Sequence, residues 1–276
     1  MIRRIIRKLI TFSGLNPKPV NITAKISLTY PSEKLRHKKI VITGGTKGLG
    51  LAMAVKFKQE GAMVLITGRD SKFTEDVANR EGLQWLKLNL QDTDSFDDFL
   101  KHAVEKLGGI DCLVNNAGIS LHEASFFDVT PESFDAQFST NLKGTFFLTQ
   151  KVTRHMCEQG GNGNILFVSS ETGFTADVRP YGLTKASLNS LVQGLAFLLC
   201  DHNIRVNAIA PGVVATDMTG FSPKGNLEYG LNSIGRLYLP EEMAEVAAFI
   251  LSDESFTLSG QIIGCNNART INARWK

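Results

Sequence analysis

Paired cysteines and long apolar runs are both scarce in this sequence. The 276 residues contain four cysteines, which stand far apart and form no Cys-x-x-Cys pair. This argues against a disulfide framework or a thiolate zinc site and fits a reducing, cytoplasmic compartment. Apolar runs such as 195–200 and 246–251 are far shorter than the roughly 18–20 residues of a membrane-spanning helix. The five histidines show no metal-ligand spacing, so no metal site is expected.

Acidic residues are almost absent from the first 39 positions, which hold ten Lys or Arg and a single acid, Glu33. This segment carries a charge of +9 and the whole chain +3, so the remaining residues carry −6. The basic character therefore belongs to the amino-terminal segment. We expect no nucleic-acid partner for the rest of the chain.

Residues 1–12 have apolar side chains at helical spacing opposite four basic ones, a pattern typical of a basic amphipathic helix. Such a helix can make peripheral contact with an anionic membrane surface, act as an organelle transit peptide, or pack on its own domain or a partner subunit. Residues 13–36 include three prolines and are typical of a linker. The predicted organisation is an extension and linker over 1–36 and one folded domain over 37–276.

From residue 39 onward, short β-branched runs alternate with amphipathic stretches. The predicted strands are 40–43, 63–67, 84–88, 112–115, 165–169, 205–209 and 261–264. The predicted helices lie near 49–60, 71–80, 94–107, 132–158, 181–201 and 240–251. Strands separated by helices indicate βαβ units, because parallel neighbours need a crossover connection. The fold class is therefore α/β, with one doubly wound parallel sheet of about seven strands.

A glycine-rich turn, TGGTKGLG (43–50), follows the first strand and leads directly into a helix. A bound diphosphate needs close backbone approach, free N–H donors and the positive end of a helix. Gly44, Gly48 and Gly50 can provide the turn, the approach and close helix–sheet packing. The alternative interpretation is an ordinary tight turn between strand and helix.

The end of the second strand discriminates between dinucleotides. NAD-selective sites usually carry an acid there that binds the ribose 2′-hydroxyl, whereas this chain has Gly68 followed by Arg69. An arginine fork suits a 2′-phosphate, and Lys47 could provide a second cation. Both favour NADP(H), with NAD(H) as the second choice. The alternatives are that both cations are solvated surface charges, and that Asp70 neutralises Arg69 or itself binds the ribose.

Tyr181 and Lys185 are four residues apart, which on a helix places the phenol and the ammonium on one face. A phenol with a pKa of about 10 needs roughly 4 kcal/mol of differential stabilisation to become a base near neutrality. A neighbouring ammonium in a partly desolvated site can provide energy of that order. The pair is therefore a candidate acid/base, although the same spacing is common by chance.

Six motifs occur in the order seen in the short-chain dehydrogenases/reductases, and the chain resembles that family over about 39–265. They are TGGTKGLG (43–50), NNAG (115–118), NLKG with Asn141, VSSETG (168–173), YGLTK (181–185) and PGVVAT (211–216). The resemblance implies a Rossmann-type sheet in the order 3-2-1-4-5-6-7, a catalytic domain and a homodimer or homotetramer. It also implies an oxidoreductase that interconverts a small-molecule carbonyl and an alcohol.

By this resemblance Tyr181 is the general acid, and Lys185 lowers its pKa and binds the nicotinamide ribose. The family pattern favours Ser170 over Ser169 as the hydroxyl that polarises the carbonyl. Asn141 would hold a water in the proton relay. The expected cofactor-binding residues are Gly44, Thr46, Lys47, Gly48, Leu49, Gly50, Arg69, Asn89, Leu90, Asn115, Ala117, Gly118, Tyr181, Lys185, Pro211, Gly212, Val214 and Thr216.

Three departures from the family pattern stand out. The stretch 173–181 is about two residues shorter than usual, Asn89 and Leu90 replace an acid–valine pair, and 265–268 replaces an acid–glycine–glycine ending. The last change puts the usual carboxyl-terminal subunit packing in doubt. The competing hypothesis is a regulatory or scaffold protein that binds a nucleotide without turnover. Peptide 219–235 would form a lid over a substrate that the sequence does not identify.

Overall fold

The computed structural model describes residues 21–23 and 33–271. Over these residues seven strands form one parallel sheet in the order β3-β2-β1-β4-β5-β6-β7. The strands are β1 Lys39–Ile42, β2 Met63–Gly68, β3 Gln84–Lys87, β4 Cys112–Asn115, β5 Asn164–Val168, β6 Arg205–Pro211 and β7 Ile262–Cys265. The predicted doubly wound parallel sheet and its strand order are confirmed.

Helices cover both faces of the sheet. They are α1 Gly48–Gln59, α2 Ser71–Glu81, α3 Phe96–Leu107, α4 Pro131–Phe138, α5 Thr145–Glu158, α6 Pro180–Leu198 and α7 Pro240–Leu251. The single helix predicted over 132–158 is α4 and α5 joined by a π-helical segment, Ser139–Gly144. At Gly144 a β-carbon would overlap the carbonyl of Leu90, so the backbone approaches the loop after β3 more closely than any side chain allows. Single π-helical turns of this kind are frequent at functional sites.

Two apolar layers hold the sheet between the helices. One layer packs α1, α2 and α7 against the sheet, and the other packs α3, α5 and α6 against the opposite face. The central strands β4 and β5 are buried at every position, as expected for parallel strands covered on both faces. This burial fixes the strands rigidly, so the loops at their carboxyl ends start from defined positions.

The amino-terminal segment is described only in part. The predicted helix over 1–12 and most of the linker 13–36 lie outside the described residues. The backbone N–H of Ile22 donates to Asn226 Oδ1 at 3.1 Å, and its carbonyl accepts from Leu227 at 3.0 Å. Leu35 is fully buried in the core. Among the described residues, no helix combines the length and hydrophobicity needed to cross a membrane.

Candidate active site

A cleft of about 310 Å³ lies at the carboxyl ends of the strands, where open α/β sheets bind their ligands. Every residue expected to bind cofactor lines it except Asn115. Further lining residues, which the sequence analysis did not single out for binding, are Thr67, Gly68, Leu88, Asn116, Ile119, Thr140, Val168, Ser169, Asp217, Met218 and Thr219. The motifs thus converge on one cleft, although they are spread over more than 170 residues of the chain (44–219).

The glycine-rich turn forms one wall of this cleft. Gly44 and Gly48 have φ values of +66° and +53°, a conformation that favours glycine. A β-carbon on Gly50 would overlap the carbonyl of Gly44. Helix α1 begins at Gly48 with no side-chain cap and no acid in its first turn, so its positive end is available to an anion. These features fit the diphosphate of a dinucleotide.

The two adjacent asparagines at the carboxyl end of β4 have different surroundings. Asn115 is buried and its side chain donates to Thr149 Oγ1 at 2.8 Å, away from the cleft. Asn116 lines the cleft, and its Nδ2 donates to the carbonyls of Thr43 and Gly44 at 2.9 Å. Side chains alternate sides along a strand, which explains why neighbouring asparagines diverge. Asn116, which the sequence analysis did not select, therefore ties this loop to the glycine-rich turn.

At the end of β2 the structure leaves no room for a side chain at Gly68. A β-carbon there would overlap the Thr74 hydroxyl and lie 2.9 Å from Thr46 Cγ2. Arg69 is exposed and lines the cleft. The carboxylate of Asp70 accepts the backbone N–H of Phe73 at 2.9 Å and caps α2. This oxygen of Asp70 is therefore engaged in the helix cap, and the alternative that Asp70 binds the ribose stays a prediction.

Lys47 pairs with an acid across the cleft opening. Its Nζ lies 3.3 Å from Asp217 Oδ2, and both side chains are largely exposed. Exposed pairs of this kind are weak, typically about 0–1 kcal/mol, so the pair can open at little cost. Lys47 therefore has an acidic partner of its own at the opening, which the sequence pattern did not reveal.

Helix α6 holds the candidate acid and its cationic neighbour. Pro180 occupies the first helical position, Tyr181 follows it, and Lys185 lies one turn later. Lys185 Nζ is 5.5 Å from the centre of the Tyr181 ring and donates to the carbonyl of Val168 at 2.7 Å. The phenol is hydrogen-bonded to Ser170. Hydroxyl, phenol and ammonium thus meet on one wall of the cleft.

The two adjacent serines after β5 are distinguished by their partners. Ser169 Oγ donates to Asn189 Oδ1 at 2.6 Å and is directed toward α6. Ser170 Oγ accepts from Thr172 Oγ1 at 3.0 Å and is hydrogen-bonded to Tyr181. Only Ser170 of the two therefore stands beside the phenol, the arrangement that the family pattern implies.

Burial dominates the electrostatics of this group. It raises the pKa of Tyr181 above its usual value, and the hydrogen bond with Ser170 partly opposes this rise. Burial also lowers the pKa of Lys185 from 10.5 to about 8, so the side chain is still a cation at neutral pH. The net rise reflects desolvation of the phenol, and the expectation that Lys185 lowers the pKa of Tyr181 stays a prediction. The phenol is therefore a protonated donor.

Asn141 lies in the π-helical segment behind the cleft wall and does not line the cleft. Its Oδ1 accepts the backbone N–H of Ile119 at 2.8 Å, and its Nδ2 donates to the Ile119 carbonyl at 2.9 Å and to Thr184 Oγ1 at 3.3 Å. The side chain therefore holds the loop after β4 against α6. This leaves one lone pair of Oδ1 for a further partner.

Comparison with known proteins agrees with this geometry. A family model described as enoyl-(acyl carrier protein) reductase matches residues 44–267. A 3-oxoacyl-[acyl-carrier-protein] reductase from Thermotoga maritima is 40% identical over 248 residues, covering 86% of this chain and all of the relative. An L-rhamnose 1-dehydrogenase (NADP(+)) from Thermoplasma acidophilum is 32% identical over 249 residues, covering 86% of this chain and 98% of the relative.

A solved structure shows the same architecture. It is that of the 3-ketoacyl-(acyl-carrier-protein) reductase from Brucella melitensis complexed with NADH. It superposes with a TM-score of 0.79 at 30% identity and covers 86% of this chain and all of that one. Family model, relatives and fold agree over the part of the chain that forms the sheet and the cleft. The chain therefore belongs to the short-chain dehydrogenase/reductase family, whose members are oxidoreductases acting on CH–OH groups.

Proposed function

We propose that this protein is an NADP(H)-dependent carbonyl reductase in which Tyr181 donates the proton. The observation that carries the proposal is the grouping of Ser170, Tyr181 and Lys185 on the wall of the cleft that the glycine-rich turn also lines. A proton donor, a carbonyl-orienting hydroxyl and a cation beside a dinucleotide cradle are the parts that this chemistry requires.

The preference for NADP(H) is supported by the end of β2. Gly68 has no space for the acid that binds a ribose 2′-hydroxyl, and the Asp70 carboxylate is engaged in capping α2. Arg69 is exposed at the cleft, where a 2′-phosphate could accept its charge-assisted hydrogen bonds. We assign the 2′-phosphate to Arg69, with Lys47 able to contribute once it leaves Asp217.

When bound, the reduced nicotinamide would supply the hydride. The chain's own residues supply the proton and the orientation. The hydroxyl of Ser170 donates to the carbonyl oxygen as negative charge develops there, and the phenol of Tyr181 transfers its proton to that oxygen. Lys185 keeps a positive charge close to the phenolate that remains, which lowers the energy of the charge-separated state.

For the substrate we propose a 3-oxoacyl thioester. Two of the compared proteins carry names that specify such a reductase. The opening of the cleft presents the apolar side chain of Met218, which is 43% exposed.

A homodimer or homotetramer is supported by exposed aromatic residues on α5 and α6, namely Phe146, Phe147 and Phe197.

The test is a turnover assay that follows loss of reduced-nicotinamide absorbance with NADPH and NADH in parallel. The carbonyl substrates would be a 3-oxoacyl thioester, a steroid ketone and a sugar lactone. We expect faster turnover with NADPH, and loss of turnover in Tyr181→Phe with NADPH affinity retained. A wild-type protein that binds NADPH but reduces no carbonyl would refute the proposal and favour a non-catalytic nucleotide-binding protein.

A further inference from the structure

A buried carboxylate lies directly behind the candidate catalytic serine. Glu171 follows Ser170, is only 8% exposed, and does not line the cleft. Its Oε1 accepts from Arg269 Nη1, and its Oε2 accepts from Asn266 Nδ2 at 3.3 Å. Both partners come from the segment that follows β7, nearly 100 residues farther along the chain. Glu171 therefore joins the serine loop to the carboxyl-terminal segment.

The segment after β7 holds a strained backbone between the two partners of Glu171. Asn267 and Ala268 have φ values of 48° and 64°, in the left-handed region that residues with a β-carbon rarely adopt. Strain of this kind costs on the order of 1–3 kcal/mol per residue and persists only where surrounding contacts impose it. Asn266 and Arg269 flank the strained pair, so their bonds to Glu171 are contacts that can impose it.

A third segment packs on the same carboxylate. A β-carbon on Gly212 would lie 3.3 Å from Glu171 Oε2 and 2.8 Å from Tyr238 Cε2. The backbone N–H of Gly212 donates to the carbonyl of Cys265 at 3.1 Å. Gly212 itself lines the cleft. The carboxylate thus lies beside the cleft-wall segment at Gly212 and belongs to the loop that carries Ser170.

We propose that Glu171 is a positioning residue. Its carboxylate, held by Arg269 and Asn266, sets the distance between the Ser170 hydroxyl and the cleft wall at Gly212. This inference rests on the proposed function for the role of Ser170. A positioning role and a purely structural role predict different results when the ion pair is replaced. A buried ion pair can often be replaced by apolar residues without loss of stability. If the geometry of the pair serves catalysis, that replacement will restore the fold but not the rate.

The experiment compares Glu171→Gln, Arg269→Met and the double variant Glu171→Met/Arg269→Met. Each is measured for unfolding midpoint, for NADPH affinity by fluorescence, and for kcat and KM. We expect Glu171→Gln to lower kcat roughly 10-fold to 100-fold, as small misplacements of reacting groups do. The double variant should return the unfolding midpoint to near the wild-type value while kcat stays low. Arg269→Lys, which keeps the charge, should recover part of kcat.

The control is the ion pair between Lys151 and Asp97, which joins α5 and α3 away from the cleft at 2.6 Å. Its double replacement by Met and Leu should leave kcat and NADPH affinity unchanged. A double Glu171/Arg269 variant that regains both stability and kcat would overturn the proposal, as would a Glu171→Gln protein within about 2-fold of wild-type kcat.

If the wild-type protein reduces no carbonyl, the proposed function fails, and the positioning role is judged on NADPH affinity alone. A several-fold loss of NADPH affinity in both Glu171→Gln and the double variant supports the positioning role. Unchanged affinity in both overturns it.

Discussion

Replacing Lys185 by methionine should make the protein more stable and inactive. Lys185 is 3% exposed, and its ammonium donates to the Val168 carbonyl. Burial lowers its pKa from 10.5 to about 8, which means that the native state disfavours the charged form by about 3 kcal/mol. Methionine has a similar length and carries no charge to desolvate.

The net gain is smaller than this figure because the hydrogen bond to Val168 is lost. A hydrogen bond from a charged donor contributes about 1.5–3 kcal/mol, so we expect Lys185→Met to raise the free energy of unfolding by about 1 kcal/mol at pH 7. For a domain of this size the melting temperature should rise by roughly 2–4 °C. Turnover should fall below detection, since the cation beside the phenol is gone.

The lowered pKa of Lys185 also determines how its contribution to stability changes with pH. The folded-state pKa of Lys185 lies below that of the unfolded chain, so between about pH 8 and 10.5 the unfolded chain binds more protons than the native one. The contribution of this residue to wild-type stability therefore rises with pH through that window. The methionine variant lacks this rise, so its advantage should shrink as the pH increases from 7 to 10.

Urea unfolding of both proteins at pH 7 and pH 10 measures this difference. Lys101→Met, at an exposed position on α3, is the control for removing a lysine charge and should change stability little. Tyr181→Phe is the control for loss of activity without loss of that charge. A Lys185→Met protein that is less stable than the wild type, or whose advantage does not change with pH, would refute the desolvation argument.

Three further outcomes are expected. Arg69→Gln should weaken NADPH binding roughly 10-fold to 100-fold and leave NADH binding unchanged, because it removes a charge-assisted contact to the 2′-phosphate. Fluorescence titration measures both affinities, and Arg154→Gln, at an exposed position, is the control. Gly68→Asp should lose affinity for both cofactors rather than switch preference, because its β-carbon overlaps its neighbours. Ser170→Ala should lower kcat about 100-fold or more, whereas Ser169→Ala should change it by less than 10-fold, as steady-state kinetics will test.

Other results would contradict these expectations. Equal loss of NADH and NADPH affinity in Arg69→Gln would remove the 2′-phosphate assignment. A Gly68→Asp protein that binds NADH tightly would show that the end of β2 can rearrange. A larger loss of kcat in Ser169→Ala than in Ser170→Ala would reverse the assignment of the two serines.

Features that depend on residues close together along the chain could be predicted from the sequence. The alternation of apolar runs and amphipathic stretches predicts the parallel sheet, because the two periodicities belong to strands and helices. The spacing of Tyr181 and Lys185 predicts their shared helix face, since a turn of helix repeats after 3.6 residues. The glycines at 44 and 48 mark positions of positive φ for the same local reason.

Only the tertiary structure decided which partner each side chain of an adjacent pair contacts. Asn115 and Asn116, like Ser169 and Ser170, carry the same functional groups, and the direction of each depends on how its strand enters the sheet. The balance of charge and burial at Tyr181 likewise depends on distant segments that exclude water. Local sequence determines dihedral preferences and periodicity. Orientation and desolvation are collective properties of the packed chain, and a linear pattern does not contain them.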